Sequence, residues 1–272
     1  MERPRRGTDR NLHQPGGDGA EGPRRPPVER PHRRTASEGP LTVCELLAVA
    51  FDEPHPFAGV LPWARAIERF GIAGFGWGVA WLGDGAVKGY RHPTSMQEDA
   101  AGADSLAEVT STRFLVHHRR PNRLSTVQMA DTQPFVEQGR FAFCHNGSFD
   151  RHAALRDRFA GRLHGRADSE VGFAYLAEGL GEGLDPAEAL RSTHRELGGT
   201  ANLGYLGRDG RLLAYGGYPK NVLWGFVLDG ASVAATGLHS DDESLFDLVF
   251  PDAKDRCRVE GDVKEVGGPG PR

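Results

Sequence analysis

The run Val43-Cys44-Glu45-Leu46-Leu47-Ala48-Val49-Ala50-Phe51 marks an abrupt change in the composition of the chain. The residues before it are mostly Arg, Pro and Gly, whereas those from Cys44 onward are mostly apolar. A short continuous apolar run of this length is typical of a buried strand. We therefore predict a strand over 44–51. Its cysteine is either a catalytic thiol or a packed strand residue, since free cysteine is among the most buried residue types.

The segment 1–42 has a composition that does not support a packed core. It holds nine Arg, no Lys and six acidic residues, so it is about +3 and the rest of the 272-residue chain is about −7. With almost no large apolar side chains, such a segment cannot offset its ordering entropy by burial. We predict a disordered extension over 1–43, one folded domain over 44–266 and a disordered tail over 267–272. A basic RNA- or membrane-binding arm is a weaker alternative, because acidic residues interrupt the arginines.

Composition disfavours several classes of protein. Three distant cysteines, at 44, 144 and 257, make neither a disulfide framework nor a CxxC metal site, and they indicate a reducing compartment. The chain has no run of 18 apolar residues and no secretory signal, so we expect a cytoplasmic protein without membrane contact. It also lacks a phosphate-binding glycine loop and ligand-spaced His, Cys or carboxylate sets, so we expect no metal and no cofactor. The mildly acidic folded part argues against nucleic-acid binding.

The apolar pattern predicts strands first, then helices, then strands again. After the first strand we expect a Pro-rich loop from Asp52 to Pro62, and a long polar loop over 118–139 that has a function. Helices are predicted over 61–70, near 95–100, and over 150–160, 168–181, 186–197 and 241–249. Further strands are predicted over 76–82, 86–91, 113–117, 141–145, 201–206, 211–215, 221–228, 232–235 and 263–266. This order favours an α+β fold of mostly antiparallel sheets with helices on the outer faces.

Besides Cys44, three short patterns could carry chemistry, and each has a purely structural alternative. The run from His117 to Arg120 could be a strand end with solvated charges. The run from Phe143 to Phe149 could be a hairpin around Asn146-Gly147, the strongest two-residue turn signal. The run from Arg166 to Glu170 could be a helix N-terminus with acidic residues in its first turn.

Taken together and in order, six short motifs resemble the class II glutamine amidotransferases of the N-terminal nucleophile hydrolase superfamily, and more narrowly their short single-domain branch. The resemblance covers about residues 44–236. It implies a four-layer αββα sandwich of two antiparallel sheets with outer helices. The motifs are Cys44-Glu45-Leu46-Leu47, Gly76-Trp77-Gly78, His117-His118-Arg119, Thr132-Gln133-Pro134-Phe135, His145-Asn146-Gly147 and Ala167-Asp168-Ser169-Glu170.

The resemblance implies a catalytic role for three residues. Cys44 is the nucleophile, and its own free α-amino group is the base. The side-chain amide of Asn146 and the backbone N–H of Gly147 form the oxyanion hole. Hydrolysis of a carboxamide needs these parts in any case, and each donor aimed at the oxyanion is worth about 3–4 kcal/mol.

The resemblance also implies how an amino-acid substrate is held. Arg119 binds the α-carboxylate, a bidentate task suited to a guanidinium, and Asp168 pairs with the α-ammonium. His145 and Trp77 are counted with these substrate-binding residues.

The chain departs from the family's motifs at four places. Arg119 is followed by Arg120-Pro121-Asn122 where the family commonly has Ala-Thr. Gln133 stands for a histidine, and Ala167 stands for a threonine. The late Ser-Glu-Pro element reads Thr236-Gly237-Leu238. These changes bear on the substrate more than on the fold.

The mechanism requires Cys44 to be the first residue of the active protein. An α-amino group has a pKa of about 7.7–8.0 and is a good general base at neutral pH, whereas a peptide nitrogen has no basic lone pair. We therefore expect residues 1–43 to be absent from the active enzyme. Val43 is either a GUG start codon, read as Met and then removed, or the end of a propeptide; we favour the first.

The leading functional hypothesis is hydrolysis of glutamine through a γ-glutamyl thioester, which releases glutamate and ammonia. A separate synthase would then have to accept the ammonia. A second hypothesis is hydrolysis of a larger γ-glutamyl amide, as in ergothioneine synthesis, with residues 52–62 and 120–135 lining the leaving-group side. A third is a non-catalytic member that binds an amino acid or a partner subunit.

Overall fold

The computed structural model describes residues 44–121, 123–239 and 243–268. The extension predicted over 1–43 lies outside the described residues, as do residues 269–272 of the tail predicted over 267–272. None of the described helices is long and apolar enough to cross a bilayer.

Twelve strands and six α-helices make up the described part of the chain. The strands are β1 (Glu45–Pro56), β2 (Trp77–Gly83), β3 (Ala86–His92), β4 (Thr110–His118), β5 (Phe135–Glu137), β6 (Phe141–Ser148), β7 (Thr200–Gly207), β8 (Leu212–Gly217), β9 (Leu223–Leu228), β10 (Ala231–Thr236), β11 (Lys254–Val259) and β12 (Val263–Glu265). The helices are α1 (Leu61–Phe70), α2 (Ala100–Ser105), α3 (His152–Arg156), α4 (Asp168–Gly181), α5 (Pro186–Leu197) and α6 (Glu243–Val249).

The strands form two antiparallel sheets. The larger one has seven strands in the order β11-β9-β10-β1-β4-β2-β3, and the smaller one has five in the order β12-β8-β7-β6-β5, both counted over the described residues. Strand β1 is central because its run from Glu45 to Phe51 is buried throughout. A strand that is buried on both faces needs neighbours on both edges, and β4 and β10 supply them.

Three apolar layers hold the sheets and helices together. Between the sheets, β1 contributes Leu46, Ala48 and Ala50, and its alternate residues Leu47 and Val49 face the helical layer instead. That layer includes α1 and α6 and covers the larger sheet, while α4 and α5 cover the smaller one. The predicted α+β, four-layer αββα sandwich is therefore confirmed.

Helices α1, α4 and α5 begin and end where the sequence predicts. Helix α5 shows why, because the Asp185 side chain accepts a hydrogen bond from the Ala187 N–H (2.9 Å) and Pro186 occupies the first turn. Carboxylate caps and a proline without an N–H satisfy the unpaired donors of a helix start.

Four of the differences between the predicted and the observed elements have a visible physical reason. Strand β1 continues to Pro56 beyond a register irregularity after Ala50, where prolines are tolerated because one edge is unpaired. The short helix begins at Ala100, because the Glu68 carboxylate binds the backbone N–H groups of Met96 and Gln97 (2.6 and 2.9 Å) in a turn. Strand β6 continues through Asn146-Gly147 to Ser148, and β11 was not predicted because charged residues hide its alternation.

Candidate active site

Cys44 immediately precedes β1 and is 5% exposed. Its sulfur accepts a hydrogen bond from the Arg120 N–H (3.4 Å) and lies 3.6 Å from the Arg120 carbonyl oxygen. Burial raises the pKa of the Cys44 thiol to about 11, and the charge of Asp168 adds to this, whereas the Arg120 N–H and the charge of Arg119 oppose it. The thiol is therefore protonated at neutral pH and needs a base to become a nucleophile.

Arg119 follows β4 directly and is almost fully buried. Its Nη2 donates to the Thr126 hydroxyl (2.7 Å), but its buried Nη1 has no hydrogen-bond partner among the described residues. Burial lowers the pKa of the Arg119 guanidinium, while the charges of Cys44, Asp131 and Asp168 raise it. A buried guanidinium nitrogen without a partner is costly, so this geometry suits an anionic ligand.

Asp168 is the first residue of α4 and keeps 15% of its side chain exposed. Its Oδ2 accepts a hydrogen bond from the Phe149 N–H (2.8 Å), which ties the end of β6 to the start of the helix. The thiol of Cys44 is influenced by the positive charge of Arg119 and the negative charge of Asp168. One cation and one anion therefore lie near the sulfur, as binding of a zwitterionic amino acid requires.

Asn146 and Gly147 lie near the end of β6, paired with Asn202 and Ala201 of β7. The Asn146 Nδ2 donates to the carbonyl oxygen of Cys44, which brings the predicted oxyanion donor to the predicted nucleophile. Gly147 has a φ of +140°, and a Cβ there would clash with the Thr200 carbonyl. Only glycine fits this position, because both the backbone conformation and the space exclude a side chain.

His145 is buried and lies next to Asp168 and Ser169. Its Nδ1 lies 3.4 Å from the Ser169 hydroxyl and 4.0 Å from Asp168 Oδ2, and its ring stacks on Phe149. Burial lowers the pKa of His145, so the ring is neutral at pH 7. His145 therefore lies against Asp168, the residue predicted to bind the substrate ammonium.

The loop 118–139, expected to have a function, supports the site from three positions. Thr126 binds Arg119, as described above. Asp131 Oδ1 accepts hydrogen bonds from the backbone N–H groups of Arg166 and Ala167 (both 2.6 Å), just before α4. Ala167, which stands where the family has a threonine, has no side-chain cap of its own, and Asp131 holds its backbone from the loop instead.

Gln133 occupies the place where the family has a histidine. Its Oε1 accepts from the His145 N–H (2.6 Å), and its Nε2 donates to the Ser169 hydroxyl (3.1 Å). The amide thus connects the loop to β6 and α4. This replacement has a structural role next to His145.

Trp77, predicted to bind substrate, is not brought to this site. It is fully buried in the layer between the larger sheet and its helices, where its indole N–H donates to Asp99 Oδ2 (3.1 Å) and its ring packs on Tyr90. Successive side chains of a strand face opposite sides of the sheet. The neighbouring Gly78 pairs with His117, which also pairs with Leu46 of β1. Gly78, and not Trp77, therefore lies on the face of the larger sheet that packs against the smaller one.

A buried polar network next to Cys44 was not found by sequence reasoning. Glu45 Oε2 accepts hydrogen bonds from the Thr236 hydroxyl and from Asn221 Nδ2 (3.3 Å). Asn221 Nδ2 also lies 3.4 Å from Asn146 Oδ1, which connects the network to the oxyanion donor. The sequence offered one signal for this network. Glu45 is an acidic residue inside an otherwise apolar strand, and a buried carboxyl needs hydrogen-bond partners.

The other two cysteines lie apart from this chemistry. Cys144 is buried between the sheets, where burial raises the pKa of its thiol, and Cys257 is exposed on β11. Within the described residues, no group of three or more His, Cys or carboxylate side chains could hold a metal ion.

Comparisons with known proteins identify a family. The family model for class-II glutamine amidotransferases matches residues 43–222, about two thirds of the chain, a range that includes Cys44, Arg119, Asn146 and Asp168. No curated protein sequence matches the chain.

Two of the similar solved structures share the fold. A glutamine phosphoribosylpyrophosphate amidotransferase from B. subtilis aligns with a TM-score of 0.60 at 15% identity, over 82% of this chain and 48% of that one. A second structure, described as the allosteric regulatory enzyme of purine biosynthesis, gives a TM-score of 0.60 at 14% identity, over 82% and 48%. A class-II glutamine aminotransferase domain protein from Silicibacter pomeroyi aligns with a TM-score of 0.48 at 22% identity, over 70% and 88%.

The chain thus spans about half the length of the first two proteins. The family match covers most of the described residues. The chain belongs to the class II glutamine amidotransferases.

Proposed function

We propose that the protein hydrolyses the side-chain amide of L-glutamine through a γ-glutamyl thioester on Cys44, releasing glutamate and ammonia. The observation that carries this proposal is the buried, half-satisfied guanidinium of Arg119 beside a buried thiol. Its Nη1 has no partner among the described residues, and a substrate carboxylate would supply one.

The two charges near the sulfur define the substrate end of the site. Arg119 binds the α-carboxylate of glutamine, and Asp168, whose side chain remains 15% exposed, binds its α-ammonium. This arrangement favours an α-amino acid over a simple amide, because each charge of the substrate meets its opposite. The γ-carboxamide then extends toward Cys44.

The reaction begins when the Cys44 sulfur attacks the amide carbon and the thiol proton passes to the α-amine of the same residue. The oxygen of that carbon becomes negative, and the Asn146 amide and the Gly147 N–H stabilise it. The carbon–nitrogen bond then breaks, and the proton on the α-ammonium leaves with the nitrogen as ammonia. Water hydrolyses the thioester, which gives glutamate and restores the thiol.

The reaction needs a form of the protein that begins at Cys44, because only then is the α-amine of Cys44 free to act as the base. Because burial raises the thiol pKa to about 11, an unassisted thiolate would be scarce at pH 7. While Val43 precedes Cys44, the nitrogen beside the thiol is an amide. Residues 1–43 are therefore absent from the active form, through a start at position 43 or by removal of a propeptide.

The ammonia has no acceptor among the groups described at this site. We place the reaction in the cytoplasm, where the free cysteines stay reduced, and assign the use of ammonia to a separate synthase. The phosphoribosylpyrophosphate amidotransferase is about twice as long as the aligned region, so the acceptor reaction is not carried over from it.

A second candidate is hydrolysis of a larger γ-glutamyl amide. The loop after Arg119 exposes Leu124, Val127 and Met129 to solvent, and all three lie in the stretch 120–135 that we expect to line the leaving-group side. Exposed apolar side chains at a site entrance suit a leaving group larger than ammonia. Cys44, Arg119 and Asp168 would act in the same way on either substrate.

The test begins with protein expressed from its native gene, whose intact mass shows where the chain starts. Its release of glutamate and ammonia from glutamine is compared with its hydrolysis of a panel of γ-glutamyl amides, with Cys44→Ser as the matched control. We expect a species that begins at Cys44, and loss of activity in the control.

Three results would change the proposal. Full activity in a species that keeps Met1 would refute the role of the α-amine. Turnover of a γ-glutamyl amide but not of glutamine would select the second candidate. No turnover, together with no labelling of Cys44 by diazo-oxo-norleucine, would favour a non-catalytic binding protein.

A further inference from the structure

Asn202 has no part in the proposed mechanism, yet it is fully buried directly opposite Asn146 on the neighbouring strand. Its Nδ2 donates to Asn146 Oδ1 (2.9 Å) and to the backbone carbonyl of Asn221 (2.6 Å). Its Oδ1 accepts from the backbone N–H groups of Gly217 and Tyr218 (both 3.2 Å).

These contacts determine which end of the Asn202 amide is the oxygen. A backbone N–H can only donate and a backbone carbonyl can only accept. The reversed amide would turn its NH₂ toward two N–H groups and its oxygen toward a carbonyl. Each buried polar group left unpaired costs about 1–3 kcal/mol, so the backbone of β8 and the segment after it selects one orientation.

Asn202 in turn determines the orientation of Asn146. Because Asn202 presents a donor, Asn146 must present its oxygen there, and Asn221 Nδ2 offers a second donor to the same atom at 3.4 Å. The Asn146 NH₂ is then left to face Cys44. An amide NH₂ carries two hydrogens, and the Cys44 carbonyl is its one acceptor among the described residues.

We propose that Asn202 is a positioning residue, which orients the Asn146 amide so that a donor, not a carbonyl oxygen, faces the oxygen of the amide attacked by Cys44. This inference rests on the proposed function, because the orientation matters for the rate only if a negative oxygen forms there. The backbone contacts of Asn202, a residue that does not touch the substrate, then determine which end of the Asn146 amide faces the oxyanion.

The substitution Asn202→Asp tests this directly. Aspartate keeps the oxygen that accepts from Gly217 and Tyr218, but it replaces the NH₂ that faces Asn146 by a second oxygen. Asn146 would then be stabilised in the flipped orientation, with its own oxygen toward the reacting carbon. We expect kcat for glutamine to fall by about 10²–10³, the usual effect of losing one oxyanion donor, with KM changed less than about threefold.

The measurement uses the active form of the protein identified above. Variants Asn202→Asp, Asn202→Ala, Asn146→Ala and the double variant Asn146→Ala/Asn202→Ala are compared for kcat, KM and urea midpoint. Gln97→Glu, an exposed amide-to-acid change in the turn between β3 and α2, is the control for added charge. Asn202→Ala removes the donor without adding a charge, in case the aspartate variant does not fold.

The double variant separates positioning from general damage. If Asn202 acts through Asn146, removing it lowers kcat in the wild-type background but not in Asn146→Ala. Additive losses, or a kcat within about threefold of wild type for a folded Asn202 variant while Asn146→Ala is impaired, would overturn the inference and leave the proposed function standing. A wild-type protein that turns over no glutamyl amide would overturn both.

Discussion

We expect the carboxyl group of Glu45 to make the protein less stable as the pH rises from 4.5 to 8. Glu45 is fully buried beside the nucleophile, and its Oε1 has no hydrogen-bond partner among the described residues. Burial raises the pKa of Glu45 from its ordinary 4.5 to about 8, although hydrogen bonds from Thr236 and Asn221 oppose the shift. The native protein therefore keeps this carboxyl protonated at neutral pH.

The sign and size of the effect follow from proton linkage. Between pH 4.5 and pH 8 the unfolded chain releases the Glu45 proton and the native chain retains it, so each rise in pH favours unfolding. The slope is about 1.4 kcal/mol per pH unit. Glu45→Gln cannot ionise, so its free energy of unfolding should gain about 3 kcal/mol relative to wild type between pH 5 and pH 7.

The assay is urea unfolding of wild type and Glu45→Gln from pH 4 to pH 8. Glu68→Gln is the matched control. Burial tends to raise the pKa of Glu68, but His118 at 3.6 Å and the backbone N–H groups of Met96 and Gln97 lower it overall. That carboxylate stabilises the native state above its unfolded pKa, so the control should parallel wild type from pH 5 to pH 7 and converge with it only in acid. Parallel curves for Glu45→Gln and wild type across that interval would refute the protonated carboxyl.

Three further predictions concern the site. Arg119→Lys keeps the charge but loses the planar guanidinium, so the KM for glutamine should rise about tenfold or more. The exposed control Arg65→Lys should leave KM unchanged. Equal KM values in Arg119→Lys and wild type would show that Arg119 does not bind the carboxylate. Trp77→Phe loses the hydrogen bond to Asp99, so urea unfolding should show a loss of about 1 kcal/mol with KM unchanged, and an altered KM would return Trp77 to the substrate site. Gly147→Ala forces a side chain against the Thr200 carbonyl at φ +140°. Its melting temperature should fall by more than that of the control Gly161→Ala, where the glycine is exposed and has open space around it. A melting temperature equal to that of wild type would show that position 147 has room for a side chain.

Much of the fold was predictable because local chemistry and burial agree. Helix α5 has its own cap, proline and apolar face, and the apolar run after Cys44 can satisfy its burial only as an inner strand. The boundaries that failed depend on distant partners. The Glu68 carboxylate delays the start of α2, and the pairing of Asn146 with Asn202 keeps an Asn-Gly pair inside a strand instead of a turn.

The sequence by itself determined the membership of the family, because motifs in a set order carry that information. The roles of Arg119, Asn146 and Asp168 around Cys44 stay predictions. Only the tertiary structure decided that Trp77 faces the helices, that Gln133 and Asp131 support the site, and that Glu45, Asn202 and Asn221 form a polar network behind it. The physical reason is that a buried polar side chain is defined by its partners. Those partners lie up to 191 residues away in the chain, and folding alone brings them within hydrogen-bond distance.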